Sequence, residues 1–285
     1  MQNIKEEMYK IAKEFSLNAT KPYIAILQPR RDLEEAPAQN LSEWSNRHIN
    51  TTSFAISYHA VGGYPVDVAR NMLIDKAIKD DPKYILFVDE DTVLPWDAVV
   101  NLLETSAKYP NTIVNGVYYV KFGNVMISIF DECSRLMVPD VTPNTGVIRD
   151  VENIGLGCTL IPMGIIHKLK TTFKDIPLSC VVPSGMWGDP DIKFMGEDTW
   201  FYNLCRKINI EVIADTRVHC LHMELKTGKY EAHPDVDLGT FKTNIPIAGK
   251  LGLQDQERVS EDYMSRICES NFTEGEEPIG ELLEN

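Results

Sequence analysis

The stretch that decides the fold is YILFVDEDTVL, residues 84–94, an apolar run that ends in a block of three acids. Tyr84 to Val88 are strand-forming residues without polar interruption, which is typical of a strand covered on both faces. Asp89, Glu90 and Asp91 follow directly, although neighbouring carboxylates repel each other. In open α/β sheets, ligands bind beyond the carboxyl ends of the strands. We therefore expect the three acids to lie at a binding site.

Strand and helix patterns alternate on both sides of this stretch. Predicted strands are KPYIAILQP (21–29), TSFAISYHA (52–60), NTIVNGVYYV (111–120), shorter runs between 124 and 161, INIEVIAD (208–215) and TRVHCLH (216–222). Predicted helices cover 62–80, with Pro65 as a plausible first helical residue, about 95–108, and about 197–207. Residues 171–195 have a loop-like composition. The alternation predicts an α/β sandwich around a mixed, mainly parallel central sheet.

Composition and charge suggest one domain followed by a tail. The 285 residues carry a net charge of −14, and residues 254–285 contribute −8 of it through ten acids and two arginines. We expect an N-terminal helix at 1–20, a single domain over 1–250 that includes a flexible lid at 223–250, and an acidic tail at 251–285. The remaining −6 leaves no broad basic face, which disfavours generic binding to duplex nucleic acid.

Export and membrane insertion are not indicated. The sequence has no apolar run near the roughly 20 residues that a membrane span needs, and no apolar signal core at its start. The six cysteines are scattered without a CxxC pair, so we expect free thiols. These features predict a cytoplasmic protein, in the producing or the host cell.

The acid block suggests a divalent cation. In an extended chain, residues i and i+2 point the same way, so Asp89 and Asp91 can face one ligand while Glu90 points elsewhere. Carboxylate oxygens suit Mg²⁺ or Mn²⁺, which add phosphate oxygens from a substrate. An acidic turn or helix cap before Pro95 is the alternative.

A second set of polar residues lies in FMGEDTWFYNLCRKINIEVIADTRVHCLH, residues 194–222. Glu197 and Asp198 begin a predicted helix, where acids also serve as caps. Gly196 permits an unusual backbone turn, and a carboxylate at a helix start beside a pocket can act as a general base. His222 and His219 end the last strand; either histidine can be structural, and a zinc site with Cys220 or Cys205 lacks a second pair at the needed spacing.

The ordered motifs resemble a known family. ARN (69–71), LFVDED with its DxD, NGVYYVK (115–121), NIGLGCTLIPMGIIHKL (153–169), GEDTWF and the final HCLH are similar to those of metal-dependent, DxD-containing glycosyltransferases of the GT-A fold, in particular the compact, soluble family 2-like enzymes. The resemblance runs from about residue 24 to residue 222. It implies a Rossmann-like, three-layer α/β sandwich of the GT-A type.

The resemblance also implies roles for individual residues. Asp91, with Asp89 and His222, would hold Mn²⁺ or Mg²⁺ on the diphosphate of a nucleotide-sugar donor, with a UDP-sugar favoured. Asp198 would deprotonate an acceptor hydroxyl if the reaction inverts the sugar carbon, and Glu197 would bind acceptor or sugar beside it. The nucleotide would contact a further set of residues: Gln28, Pro29, Arg30, Arg70, Asn71, Asp89, Glu90 and Lys121.

Two other functions fit the same residues. A sugar nucleotidyltransferase shares the α/β build, although QPRRDLEEAP lacks the glycine-rich loop that such enzymes carry after the first strand. A non-catalytic metal- or carbohydrate-binding module would bind a cation without turnover. The acceptor stays open among a glycan, a protein, a small molecule and a modified nucleic-acid base, and the sequence does not indicate an oligomeric state.

Overall fold

The computed structural model describes residues 23–30, 56–120, 124–125, 127–130, 136–184, 193–224, 229–237 and 241. The predicted N-terminal helix at 1–20, Lys121, the acidic tail at 251–285 and the greater part of the predicted lid at 223–250 lie outside these residues. The described residues do not test the sequence predictions for these segments.

The described elements alternate as the sequence indicates. The strands are β1 (Ile24–Arg30), β2 (Ile56–Gly62), β3 (Tyr84–Val88), β4 (Thr92–Val93), β5 (Ile113–Val120), β6 (Asn124–Val125), β7 (Ile127–Phe130), β8 (Leu136–Met137), β9 (Val147–Ile148), β10 (Val151–Ile154), β11 (Cys158–Pro162), β12 (Val182–Ser184), β13 (Lys193–Met195), β14 (Val212–Glu224) and β15 (Lys229–Glu231). The helices are α1 (Val66–Asp80), α2 (Ala98–Lys108), α3 (Met163–Thr172) and α4 (Glu197–Lys207).

The central sheet is mixed and mainly parallel. Its strand order is β15-β14-β5-β11-β3-β1-β2. β1 pairs in parallel with both β2 and β3, and β14 pairs in parallel with β5. β11 is antiparallel to its neighbours β3 and β5, and β15 is antiparallel to β14. The α/β class and the mixed sheet predicted from the sequence are confirmed.

Hydrophobic packing on both faces of the sheet makes three layers. Along β3, Ile85 and Phe87 belong to one buried cluster, and Leu86 and Val88 to the other. The first cluster takes in apolar residues of α1, α3 and α4, and the second takes in those of α2. This alternation is what a strand buried on both faces requires, and it explains why residues 84–88 contain no polar side chain.

Several details of the prediction differ from the structure. The helix predicted over 62–80 begins at Val66, after Pro65, because Gly62 still belongs to β2. Residues 212–224 form one continuous strand, β14, instead of two, because the polar residues at its middle are paired inside the protein (Discussion). The loop-like region 171–195 contains the strand pair β12 and β13. Helix α2 begins at Ala98, since Trp96 and Asp97 form a turn after Pro95.

None of the described helices is long and apolar enough to cross a membrane. Among the described cysteines, Cys158, Cys180, Cys205 and Cys220 are free thiols, as predicted.

Candidate functional site

A cavity of about 270 Å³ opens beyond the carboxyl ends of β1 and β3. Nine of its lining residues carry roles in the sequence prediction: Pro29, Arg30, Arg70, Asp89, Glu90, Asp91, Glu197, Asp198 and His222. Three more were not predicted: Tyr64, Val66 and Tyr118. The sheet thus brings together residues from β1, α1, the end of β3, the start of α4 and β14, as binding at the carboxyl edge of the strands requires.

The three acids after β3 form a turn. The Thr92 amide donates to the Asp89 carbonyl at 3.1 Å, so the backbone bends instead of continuing as a strand. Alternation applies only to extended chain, so it does not determine where Asp89 and Asp91 point, although both line the same cavity. Asp89 faces Arg70, Asp91 faces His222, and Glu90 lines the cavity as well.

Arg70 lies at the centre of the acidic side of the cavity. Its side chain is 2% exposed, and its Nη2 atom is 3.1 Å from Asp89 Oδ1, 3.5 Å from Glu197 Oε1 and 3.6 Å from Asp198 Oδ1. The guanidinium also lies over the Phe87 ring, 5.5 Å from its centre. Part of the positive charge that the sequence analysis assigned to a metal ion is therefore supplied by this arginine.

The hydrogen bonding of this group is incomplete. Arg70 Nη1 and Nε are buried and make no hydrogen bond, and Asp198 Oδ1 is also buried without a hydrogen bond. Burial, together with the smaller effects of Glu197 and Asp89, raises the pKa of Asp198 to about 8 against the lowering effect of Arg70. Burial alone would lower the pKa of Arg70, but the three carboxylates raise it above its usual value. Asp198 is thus a carboxyl group with unusually high proton affinity.

Asp91 and His222 form the part of the site that can hold a divalent cation. Strand β4 pairs with β14 next to them, and the Met223 amide donates to the Asp91 carbonyl at 2.7 Å. Asp91 Oδ1 and His222 Nε2 are 3.6 Å apart, close enough for both to bind one ion. A carboxylate and an imidazole suit Mn²⁺, with positions left for phosphate oxygens and water. Among the described residues, no group of three or more His, Cys, Asp or Glu side chains is arranged for a metal ion.

Two glycines make room for the floor of the cavity. A Cβ atom on Gly155 would lie 1.9 Å from the Tyr118 hydroxyl oxygen. A Cβ atom on Gly157 would lie 2.9 Å from the same oxygen and 3.0 Å from Asp89 Oδ2. The Gly157 carbonyl in turn accepts from the Asp89 amide at 3.1 Å. The glycines of the NIGLG motif are therefore explained by close approach of Tyr118 and Asp89.

Two predicted nucleotide contacts lie beside the cavity and not in its wall. Gln28 is fully buried, and its Oε1 accepts from Arg30 Nε at 2.9 Å and from the Tyr58 hydroxyl. Asn71 Nδ2 donates to the Ser179 carbonyl at 2.6 Å, and its Oδ1 accepts from the Ser179 amide at 3.2 Å. Gln28 fixes the position of Arg30, and Asn71 ties the segment after α3 to α1.

Other sequence hypotheses are resolved by the geometry. Gly196 has φ −65°, which any residue adopts, so no unusual turn precedes α4. His219 is 3% exposed and lies against His233, away from the Asp91 and His222 pair.

The three unpredicted lining residues differ in the strength of the sequence signal that could have identified them. Tyr64 is 51% exposed and follows Gly63, whose φ is +77°, so an aromatic residue directly after a GG pair was an available signal. Val66 and Tyr118 give no such signal, because an apolar helix residue and a strand tyrosine are ordinary core residues.

No protein-family model matches this sequence, and no curated protein matches it significantly. Among solved structures, the chain is similar to "A197 from STIV", with 16% identity and a TM-score of 0.47, over 81% of this chain and 98% of that one. It is also similar to "GalNAc-T7 with UDP, GalNAc and Mn2+", with 11% identity and a TM-score of 0.43, over 93% of this chain and 54% of that one. The chain thus spans about half the length of the GalNAc-T7 structure. At these scores neither likeness carries an argument about function.

Proposed function

We propose that the chain is a GT-A-type glycosyltransferase that moves a sugar from a nucleoside-diphosphate sugar to an acceptor hydroxyl. The observation that carries the proposal is the meeting, in one cavity, of the Asp91 and His222 pair with the high-pKa carboxyl of Asp198 beside Arg70. The order of the DxD, ED and HCLH motifs along the sequence supports the same reaction class.

The charge of the cavity supports a role for a divalent cation. Five carboxyl groups and two guanidinium groups line it, an excess of two negative charges when Asp198 is protonated and of three when it is ionised. A diphosphate would be repelled there unless a cation accompanied it. Asp91 and His222 would hold that cation, with Asp89 next to them. When bound, the ion would neutralise charge that develops on the departing nucleoside diphosphate.

The remaining residues have separable tasks in this proposal. The two unpaired nitrogens of Arg70 would donate to the donor phosphates, which gives these buried donors the partners they lack. Arg30, fixed by Gln28 and Tyr58, would contact the nucleotide at the end of β1. Asp198 would accept the proton of the acceptor hydroxyl, since a carboxylate with raised pKa is a stronger base, and Glu197 would orient the acceptor. This role of Asp198 assumes inversion at the sugar carbon.

The test is a panel of UDP-, GDP- and TDP-sugars, assayed for hydrolysis and transfer with Mn²⁺ or Mg²⁺. We expect turnover of one nucleotide class, loss of turnover in EDTA, and loss in Asp91→Asn and Asp198→Asn. Asp175→Asn is the matched control, because Asp175 is an exposed aspartate outside the cavity.

The same panel separates the alternatives. Formation of a nucleotide sugar from a nucleoside triphosphate and a sugar phosphate, without glycosyl transfer, would replace the proposal by a nucleotidyltransferase. Binding of Mn²⁺ and nucleotide without turnover of any donor, alone or with glycan, protein or nucleic-acid acceptors, would leave a binding module.

A further inference from the structure

Tyr118, which has no role in the sequence prediction, contacts the imidazole of His222. The two rings are stacked, with centres 5.6 Å apart and an angle of 18° between their planes. Tyr118 on β5 pairs with Cys220 on β14, and His222 is two residues further along the same face of β14. The tyrosine ring therefore leans along the strand and covers one face of the histidine.

Tyr118 is itself firmly held. Its hydroxyl accepts from the Gly157 amide at 3.2 Å, and the Gly157 carbonyl accepts from the Asp89 amide. Gly155 and Gly157 leave space only for this phenol, because a Cβ atom at either position would overlap it. The side chain is 6% exposed. A rigid group thus lies against the His222 imidazole and limits the orientations that this ring can take.

We propose that Tyr118 is a positioning residue for His222, holding the imidazole so that Nε2 faces Asp91 and the pair is ready for a divalent cation. This inference rests on the proposed function, in which Asp91 and His222 hold that cation. Groups that orient a metal-binding histidine from behind usually donate or accept a hydrogen bond. Here a stacked ring, fixed from the glycine turn, would have the same effect.

The test is titration of the purified full chain with MnCl₂, followed by Mn²⁺ electron paramagnetic resonance. Tyr118→Leu should weaken Mn²⁺ binding about tenfold or more, the range seen when groups behind a metal ligand are removed. Tyr118→Phe keeps the ring and should bind Mn²⁺ close to the wild-type affinity. Tyr119→Leu is the matched control: Tyr119 is the next residue on β5, is equally buried, and contacts His233 instead of His222.

A second readout does not need the metal. The His222 ring protons should be shifted upfield by the stacked tyrosine in nuclear magnetic resonance spectra of the wild type and Tyr118→Phe, and should lose that shift in Tyr118→Leu. Tyr119→Leu should keep it.

The outcomes separate this inference from the proposed function. Wild type that binds Mn²⁺ through Asp91, shown by weaker binding in Asp91→Asn, together with equal affinities of Tyr118→Leu and Tyr119→Leu, would overturn the role of Tyr118 alone. Wild type that does not bind Mn²⁺, or binds it equally in Asp91→Asn, would overturn the metal site and this inference with it.

Discussion

Two arginines in this molecule each lie among carboxylates, and they differ in how completely they are paired. Arg217, on β14, donates from all three guanidinium nitrogens. Its acceptors are Asp215 Oδ1 and Oδ2, Glu104 Oε2, the Asn101 carbonyl and Thr105 Oγ1, at distances from 2.7 to 3.2 Å. Arg70 makes one side-chain hydrogen bond, from Nη2 to Asp89 Oδ2 at 3.3 Å, and leaves Nη1 and Nε without a partner.

The acids around the two arginines differ in the same way. Asp215 is fully buried, and it also accepts from the Arg217 amide at 3.0 Å and from the Thr105 hydroxyl at 2.6 Å. Asp198 has an oxygen without a hydrogen bond and a raised pKa. All three guanidinium nitrogens of Arg217 and both oxygens of Asp215 are paired, although Glu104 Oε1 makes no hydrogen bond. Paired buried charges stabilise one structure, whereas the unused donors of Arg70 and the unused acceptor of Asp198 are ready for a ligand. We therefore assign the Arg217 group to the fold and the Arg70 group to the reaction.

The largest expected effect is the difference between substitutions of Asp198 and of Asp215. Asp198→Asn should lower the transfer rate by about 10²–10⁴-fold, the usual contribution of a general base. Its folding stability should stay near wild type, because the change removes a poorly paired buried carboxyl. Asp215→Asn should do the reverse, reducing stability while the folded protein keeps its rate. Initial rates and urea unfolding of both variants check this, and a rate of Asp198→Asn near wild type would remove Asp198 as the base.

The two arginines give the next comparison. Arg217→Met leaves Glu104 and Asp215 buried without their cation and should cost about 3–5 kcal/mol of stability. Arg70→Met should cost less, since its acids line a cavity that water can enter, but it should abolish transfer. Urea unfolding measures both. Arg149→Met is the control, because Arg149 pairs with Glu211 at the exposed surface and should contribute little. Equal losses of unfolding free energy in Arg70→Met and Arg217→Met would contradict the assignment of the Arg217 group to the fold and the Arg70 group to the reaction.

The buried side chain of His219 should make the folding stability depend on pH. Burial, and next the proximity of His233, lower the pKa of His219 to about 4, against the raising effect of the Val141 backbone. An unfolded histidine takes up a proton near pH 6.5. The stabilising contribution of neutral His219 is therefore complete above about pH 6.5 and falls as the pH decreases toward 4, by about 3 kcal/mol at most.

Unfolding free energies of wild type and His219→Leu between pH 7.5 and pH 4 measure this contribution. The variant should lose less stability than wild type over that range. Parallel curves for wild type and His219→Leu would show that His219 is not held neutral by the fold.

The sequence predicted the secondary structure and the residues of the cavity wall better than it predicted which charged residues pair. The apolar run 84–88, the helix at 197–207 and the acid block followed from periodicity and local signals, and these brought nine predicted residues into the cavity wall. β14 was divided at Asp215 because a polar centre is atypical of a buried strand. Asp215 pairs with Arg217 and Thr105, and Arg217 pairs in turn with Glu104. Thr105 and Glu104 lie more than 100 residues away in sequence, so this pairing is a tertiary property that local patterns do not contain.

The same limit explains what was missed at the site. Arg70 was predicted as a nucleotide contact, but its place among Asp89, Glu197 and Asp198 depends on four separate segments meeting. Tyr118 was not distinguished from other strand residues, because its contact with His222 crosses from β5 to β14. The sequence of the acid block also did not show that its backbone turns. This turn places Asp89 and Asp91 against different partners.

The most direct test of the central claim is a crystal structure of the wild-type chain grown with MnCl₂ and UDP. We expect an anomalous Mn²⁺ peak between Asp91 and His222, a diphosphate oxygen within hydrogen-bonding distance of Arg70 Nη1 or Nε, and an unchanged group around Arg217. Mn²⁺ and UDP bound elsewhere on the chain, with Arg70 still paired only to its carboxylates, would contradict it.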